Sequence, residues 1–152
     1  KLSHKKRIMG QKMIRSEQIY SILTDAAEDC TALWGAVWTL TEFIDVSDYQ
    51  DHSNLNYNQK YELCIPTAKR ILLALFEAGL VEFHRGLAWP PSSLTEIDMQ
   101  PIEVEAIFAN MAYWLAPTDA TLDYICFNAT ENGRKLWRQG KEAFMRNWSA
   151  PT

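Results

Sequence analysis

The segment Ile65 to Gly86, IPTAKRILLALFEAGLVEFHRG, narrows the fold more than any other part of the chain. Ala68, Ile71, Leu72 and Leu75 recur at steps of three and four, which gives a helix one buried face. Pro66 suits the first turn of that helix, where its missing N–H costs nothing. Gly79 followed by Leu80 matches a left-handed C-cap with its apolar contact. LVEFH then alternates and reads as a strand with Val81 and Phe83 on one side. A helix that ends at a glycine and turns at once into a strand requires a mixed architecture. That leaves open whether the helix meets a partner or only packs a core.

The rest of the chain is mainly helical by the same signals. From Ser16 to about Phe43 the apolar positions Ile19, Leu23, Ala26, Cys30, Leu33, Trp34, Val37 and Trp38 form one stripe. This is one long helix with Ser16 as N-cap, or two helices with a bend near Gly35. DVSDYQDHSNLNYN is a polar loop, and a short helix is expected over Asn58–Cys64. WPPSSLTEIDMQP is broken by its prolines. Pro101 opens a further helix with Val104, Ile107, Phe108, Met111 and Leu115 inward. LDYICFN is a second strand, and Thr130 caps a helix running to about Trp148, with Leu136, Phe144 and Trp148 on its apolar side. The expected class is therefore α+β, mainly helical, with a two-stranded ribbon. The 152 residues suit one domain over 16–152, preceded by a basic leader over 1–15. The chain opens without Met, and Met9 and Met13 are each natural starts, so part of the leader is expected to be an addition or a product of trimming.

Charge is segregated behind a net value of -4. The leader holds six Lys or Arg and no acid, whereas residues 16–59 hold eight acids and no base. Residues 86–133 carry seven acids and again no base. The last helix carries Arg134, Lys135, Arg138, Lys141 and Arg146. That leaves Lys60, Lys69, Arg70 and Arg85 as the central basic residues, all in or beside the opening segment.

Two segments resemble the winged-helix family of bacterial regulators, the MarR and PadR type. ELCIPTAKRILLALFEAGLVEF is similar to that family's helix-turn-helix and following strand. YICFNATENGRKLW is similar to its later strand, Thr cap and T-x-x-G-R entry into a closing helix. Together they cover about a quarter of the chain. The resemblance implies a winged helix-turn-helix-like domain whose second helix enters the major groove of duplex DNA. Thr67, Lys69, Arg70 and Leu73 would then form the groove face, His84 and Arg85 would begin the wing, and Lys60 would contact phosphate from the supporting helix. The first and last helices would form a homodimer interface.

This chain departs from the family in its wing. A helical insert from 86 to 121 without Lys or Arg replaces the short basic loop, and it would repel phosphate at its tip. A second reading therefore stands beside the regulator: an acidic adaptor or inhibitor module on the same scaffold, gripping a basic protein partner. Trp89, in the proline-rich loop, is a candidate contact for it. Arg134, Arg138 and Lys141 recur on one helical stripe. They could meet a nucleic acid, the acidic face of the first helix, or only water. Trp34, Trp38, Trp114 and Trp137 are expected in the core.

Other chemistry finds little support. Asp45, Asp48, Asp51 and His52 cluster without the Gly turn and terminal Glu of a calcium loop. No nucleophile elbow, phosphate-cradling loop or HExxH occurs, so no enzyme and no cofactor are expected. Cys64, with His84 as base, is the nearest approach to an activated thiol, against a plain buried cysteine. Cys30, Cys64 and Cys126 are odd in number and far apart, which suggests reduced thiols in the cytoplasm. The sequons at Asn128 and Asn147 are then accidental. No apolar run spans a membrane.

Overall fold

The structure is a computed structural model that describes residues 14–44, 56–86, 94–96, 100–116 and 124–148. In chain order the elements are α1 (Ser16–Glu28), β1 (Thr31–Ala32), α2 (Leu33–Thr41), α3 (Tyr57–Glu77), β2 (Val81–Gly86) and β3 (Leu94–Glu96). They continue with α4 (Pro101–Ala109), a 3-10 turn (Met111–Trp114), β4 (Tyr124–Ala129), α5 (Glu131–Arg138) and α6 (Lys141–Asn147). The class is α+β and mainly helical, with a small antiparallel sheet of order β1-β4-β2-β3. The expected ribbon is its centre: β2 pairs with β4 from Val81↔Ala129 to Gly86↔Tyr124. β1 adds to the outer side of β4 through Thr31↔Phe127 and Ala32↔Cys126.

The stripe from Ser16 to Phe43 is two helices, and the break lies before Gly35. Asp29 turns extended at the end of α1, its carboxylate accepts the Cys30 N–H at 2.7 Å, and Thr31 Oγ1 donates to the Asp25 carbonyl at 3.0 Å. These local bonds replace the next helical ones. The helix start is also one residue earlier than expected: Arg15 is the N-cap, and its N–H is taken by the Gln18 side chain at 2.8 Å. Arg15 further ties α1 to the end of α2 by donating to the Phe43 carbonyl at 3.0 Å.

α3 corrects a second expectation. The short helix over Asn58–Cys64 and the helix opened by Pro66 are one element of 21 residues, with Pro66 inside it. Proline there removes one backbone bond and crowds the carbonyl four residues back. The cost is contained because both Pro66 and Glu62, which carries that carbonyl, are exposed. On the opposite face Tyr61, Cys64, Ile65, Ala68, Ile71, Leu72 and Leu75 are buried in unbroken helical register. Continuous burial on both sides of the proline outweighs the single lost bond. Asn56 and Gln59 close the N-terminus as a reciprocal capping box, each bond 2.9 Å.

The exit from α3 follows the sequence. Gly79 takes φ 74, the Leu80 N–H bonds the Leu75 carbonyl at 2.9 Å, and the Gly79 N–H bonds the Phe76 carbonyl at 3.0 Å. This is a Schellman motif. Thr130 locks onto it from the far end of the chain. Its hydroxyl donates to the Gly79 carbonyl at 2.6 Å and accepts the Gly133 N–H at 3.1 Å, while its N–H donates to the Leu80 carbonyl at 3.0 Å. Gly133 lies so close that a Cβ there would sit 2.1 Å from the Leu80 carbonyl oxygen. The helix expected to run from Thr130 to Trp148 breaks at Gly140, which adopts φ 95 between α5 and α6.

An aromatic chain carries the insert into the core. Phe76 meets Phe83, Phe83 meets Phe108 edge-on at 5.5 Å, and Phe108 meets Trp114 edge-on at 5.2 Å. Each such pair contributes about 1 kcal/mol beyond its buried area. Val104, Ile107 and Phe108 face inward as expected, but Met111 and Leu115 are each 50% exposed. α4 ends at Ala109, so the helical period that pointed these two inward no longer applies. On the far side, α1 packs against α5 and α6 through Tyr20 on Phe144 (centroids 5.4 Å) and Trp137 Nε1 donating to Thr24 Oγ1 at 3.0 Å.

Gly133→Ala is expected to destabilise the fold by about 2 kcal/mol, since the added methyl meets backbone rather than a movable side chain. Thermal unfolding of the variant checks this, with Gly79→Ala as a comparison whose cost comes from positive φ instead of a clash.

Candidate functional site

The residues expected to read DNA are not gathered on one face. Arg70 is exposed on α3, and Lys60 and Thr67 are half-buried there. Lys69, one residue from Arg70, is turned toward the insert, with its Nζ 5.5 Å from the centroid of the Trp114 ring. That ring is fully buried, and the Trp114 carbonyl accepts a hydrogen bond from Tyr61. The insert therefore occupies the Lys69 side of α3 and leaves Arg70 to solvent. Leu73 is half-buried against the core.

His84 and Arg85 are successive residues of β2, so their side chains leave opposite faces of the sheet. His84 is half-buried opposite Cys126, with Nε2 3.6 Å from the Glu82 carboxylate. Glu82 in turn accepts the Asn128 side-chain N–H at 2.9 Å.

Arg138 and Lys141 are exposed and Arg134 is half-buried. Among the described residues no ion pair joins them to the acids of α1, although α1 lies against α5 and α6. The contact there is made by aromatic packing and by hydrogen bonds between Trp137 and the Thr24 and Tyr20 hydroxyls. Trp89 and the group Asp45, Asp48, Asp51 and His52 lie outside the described residues. Among the described residues no three His, Cys, Asp or Glu side chains could hold a metal ion, and no helix is long and apolar enough to cross a membrane.

A different site emerges where α2 meets the end of the insert. A cleft of ≈ 310 Å³ is lined by Asp29, Cys30, Thr31, Trp34, Trp38 and Ala116. Trp34 is buried and meets the Tyr124 ring at a tilt, as the expected core position requires. Trp38, expected in the core too, is 45% exposed. It stands on the same apolar stripe, but that stripe continues past the core into the cleft. Leu115, half exposed, adjoins Ala116 at the cleft's edge.

Acidic residues close the C-terminal ends of both α1 and α2. Glu28, Asp29 and Glu42 are exposed, and Asp25 is held between the helices by Thr39 Oγ1, which donates to its carboxylate at 2.6 Å. Burial pushes the Asp25 carboxyl up from 3.8 to about 6, against the lowering effect of the Thr39 bond, and the charges of Glu28 and Glu42 push it further. The shift is mainly one of burial, to which the two neighbouring carboxylates add a smaller push.

The thiols also differ from expectation. Cys30 and Cys126 are brought to 2.8 Å, Sγ to Sγ, although they lie 96 residues apart. No spacing pattern signals this, because it depends on β1 joining β4. Cys64 is buried on α3, and burial alone pushes its thiol up to about 11, the opposite of an activated nucleophile. His84 stands across from Cys126, on the sheet. No protein-family model, curated protein or solved structure matches this chain.

The Asp25 shift has a definite sign. The folded chain keeps a proton that the unfolded chain releases above pH 3.8, so this group's stabilising contribution is lost as pH rises toward about 6. Asp25 is partly open to solvent, and after screening the effect is about 1 kcal/mol. Asp25→Asn is therefore expected to gain stability relative to wild type between pH 4 and 7. Paired thermal melts across that range check it: a constant wild-type-to-variant difference would contradict the shifted carboxyl.

Proposed function

We propose that this protein is a protein-binding module on a winged-helix-like scaffold, and that the cleft between α2 and the insert takes a basic segment of a partner. One observation carries the reading: an exposed Trp38 stands in a cleft bordered by the exposed carboxylate of Asp29. A lysine or arginine entering such a cleft gains a cation–π contact and acidic neighbours together. Trp is also the side chain that most often dominates a protein interface. The packing of Lys69 over Trp114 supports the same choice, because it removes one of the two cations that a groove helix would need.

A second reading, a DNA-binding homodimeric regulator, draws support from the order of elements. α3 ends at Gly79 and runs into β2, and β2 pairs with β4, the strand before the Thr130 cap, so the two segments that carry the resemblance lie together. In that reading the single helix α3 stands where the supporting and groove helices were expected, with Arg70 and Lys60 reaching phosphate or base edges.

Titration with a short arginine-rich peptide, followed by tryptophan emission, separates the two. The expected result is binding that weakens with salt and falls about tenfold, or about 1.4 kcal/mol, in Trp38→Ala. Glu28→Lys/Asp29→Lys should weaken it similarly, while Lys60→Glu/Arg70→Glu should not. Duplex DNA binding that is steeply salt-dependent and lost in Lys60→Glu/Arg70→Glu, without peptide binding, would favour the regulator instead. Repeating the DNA arm with the basic residues of 1–15 replaced by Gln separates any contribution of the leader.

A further inference from the structure

We propose that Cys30 and Cys126 form a reversible dithiol–disulfide site that exchanges with low-molecular-weight disulfides such as glutathione disulfide. Three features of the structure support it, and none depends on what the cleft binds. The two sulfurs are 2.8 Å apart, less than an ångström beyond the about 2.05 Å of a covalent S–S bond. Their backbones are already held in place, since Ala32 and Cys126 are register partners and Cys30 precedes β1 by one residue. Exposure is asymmetric: Cys30 is half-buried and lines the cleft, whereas Cys126 is 1% exposed behind it. One thiol can meet a reagent and the other can only resolve it.

The electrostatics agree with this division. The bond from Cys126 holds the Cys30 thiol below its ordinary value, against burial and the nearby carboxylates Asp29 and Glu82. The same pairing and burial drive Cys126 upward. Cys126 Sγ also reaches the His84 carbonyl at 3.7 Å, which keeps it on the sheet. Cys30 is thus the attacking sulfur, and a lowered thiol pKa is what such a role uses.

The exchange balances in two steps. The Cys30 thiolate attacks one sulfur of the small disulfide, whose S–S bond breaks. The departing thiolate takes up the proton that Cys30 gave up. A mixed disulfide now stands on Cys30. Cys126 attacks the Cys30 sulfur of that bond, its proton passes to the second departing thiolate, and the intrachain disulfide forms. Two protein thiols are oxidised and one small disulfide is reduced to two thiols. The product closes a long loop and fastens the α1–β1 junction to the centre of the sheet, which stabilises the folded chain.

The test uses the full wild-type chain in glutathione buffers of increasing disulfide fraction, acid-quenched, unfolded, alkylated and mapped by mass spectrometry. The expected result is a linked Cys30–Cys126 peptide with Cys64 still alkylated. The melting temperature should rise by roughly 10 °C and return on reduction. Cys126→Ala should instead accumulate glutathione on Cys30, and Cys30→Ser should leave Cys126 unmodified while folded. Full alkylation of both cysteines at the highest disulfide fraction would overturn the proposal. So would a wild-type chain that stops at the mixed disulfide on Cys30.

Discussion

The corner at Gly79 and Leu80 governs much of the rest. Two carbonyl groups there, those of Gly79 and Leu80, are satisfied by Thr130, 51 residues away from Gly79, and the space above Leu80 is left by the missing Cβ of Gly133. This contact joins the end of α3 to the start of α5 and sets β2 against β4 from Val81↔Ala129 onward. That register turns Phe83 toward the core, where it meets Phe108, which meets Trp114. The insert is thus seated by the same corner that ends the helix. The cleft beside Trp38 is a downstream product of it, since Ala116 follows directly from that seating.

Signals that act within a few residues were legible in the sequence. The glycine exit of α3, the strand at Val81, the strand around Ile125 and the Thr130 cap each depend on local geometry. Each stands where the pattern placed it. Signals that depend on distant packing were not. Pro66 reads locally as a helix start, but burial of Tyr61 and Cys64 on the same face as Ala68 carries the helix through it. Trp38 shares the period of buried neighbours and only the tertiary edge of the core reveals it as exposed, while Met111 and Leu115 lie beyond the end of α4, where the period stops. The meeting of Cys30 and Cys126 required the pairing of a two-residue strand, which carries almost no sequence signal.

The candidate site shifted for a related reason. Charge counting places Lys69 and Arg70 together, because adjacent residues share a position in the sequence. On a helix they diverge by about 100°, and the neighbour each meets decides its role. Lys69 meets an indole ring from the insert, while Arg70 meets water. The acid-rich character of residues 16–59 is a further guide, since Asp25 lies between the two helices and feels the charges of Glu28 and Glu42.

The sheet itself narrows how a partner could be held. Its two outer strands are β1, of two residues, and β3, of three. Borders this short offer too few backbone donors and acceptors for a visiting chain to lie alongside as an extra strand, and they give little foothold to edge-to-edge aggregation. Recognition of the kind proposed would then rest on side chains, where single replacements can retune it without disturbing the hydrogen-bond ladder.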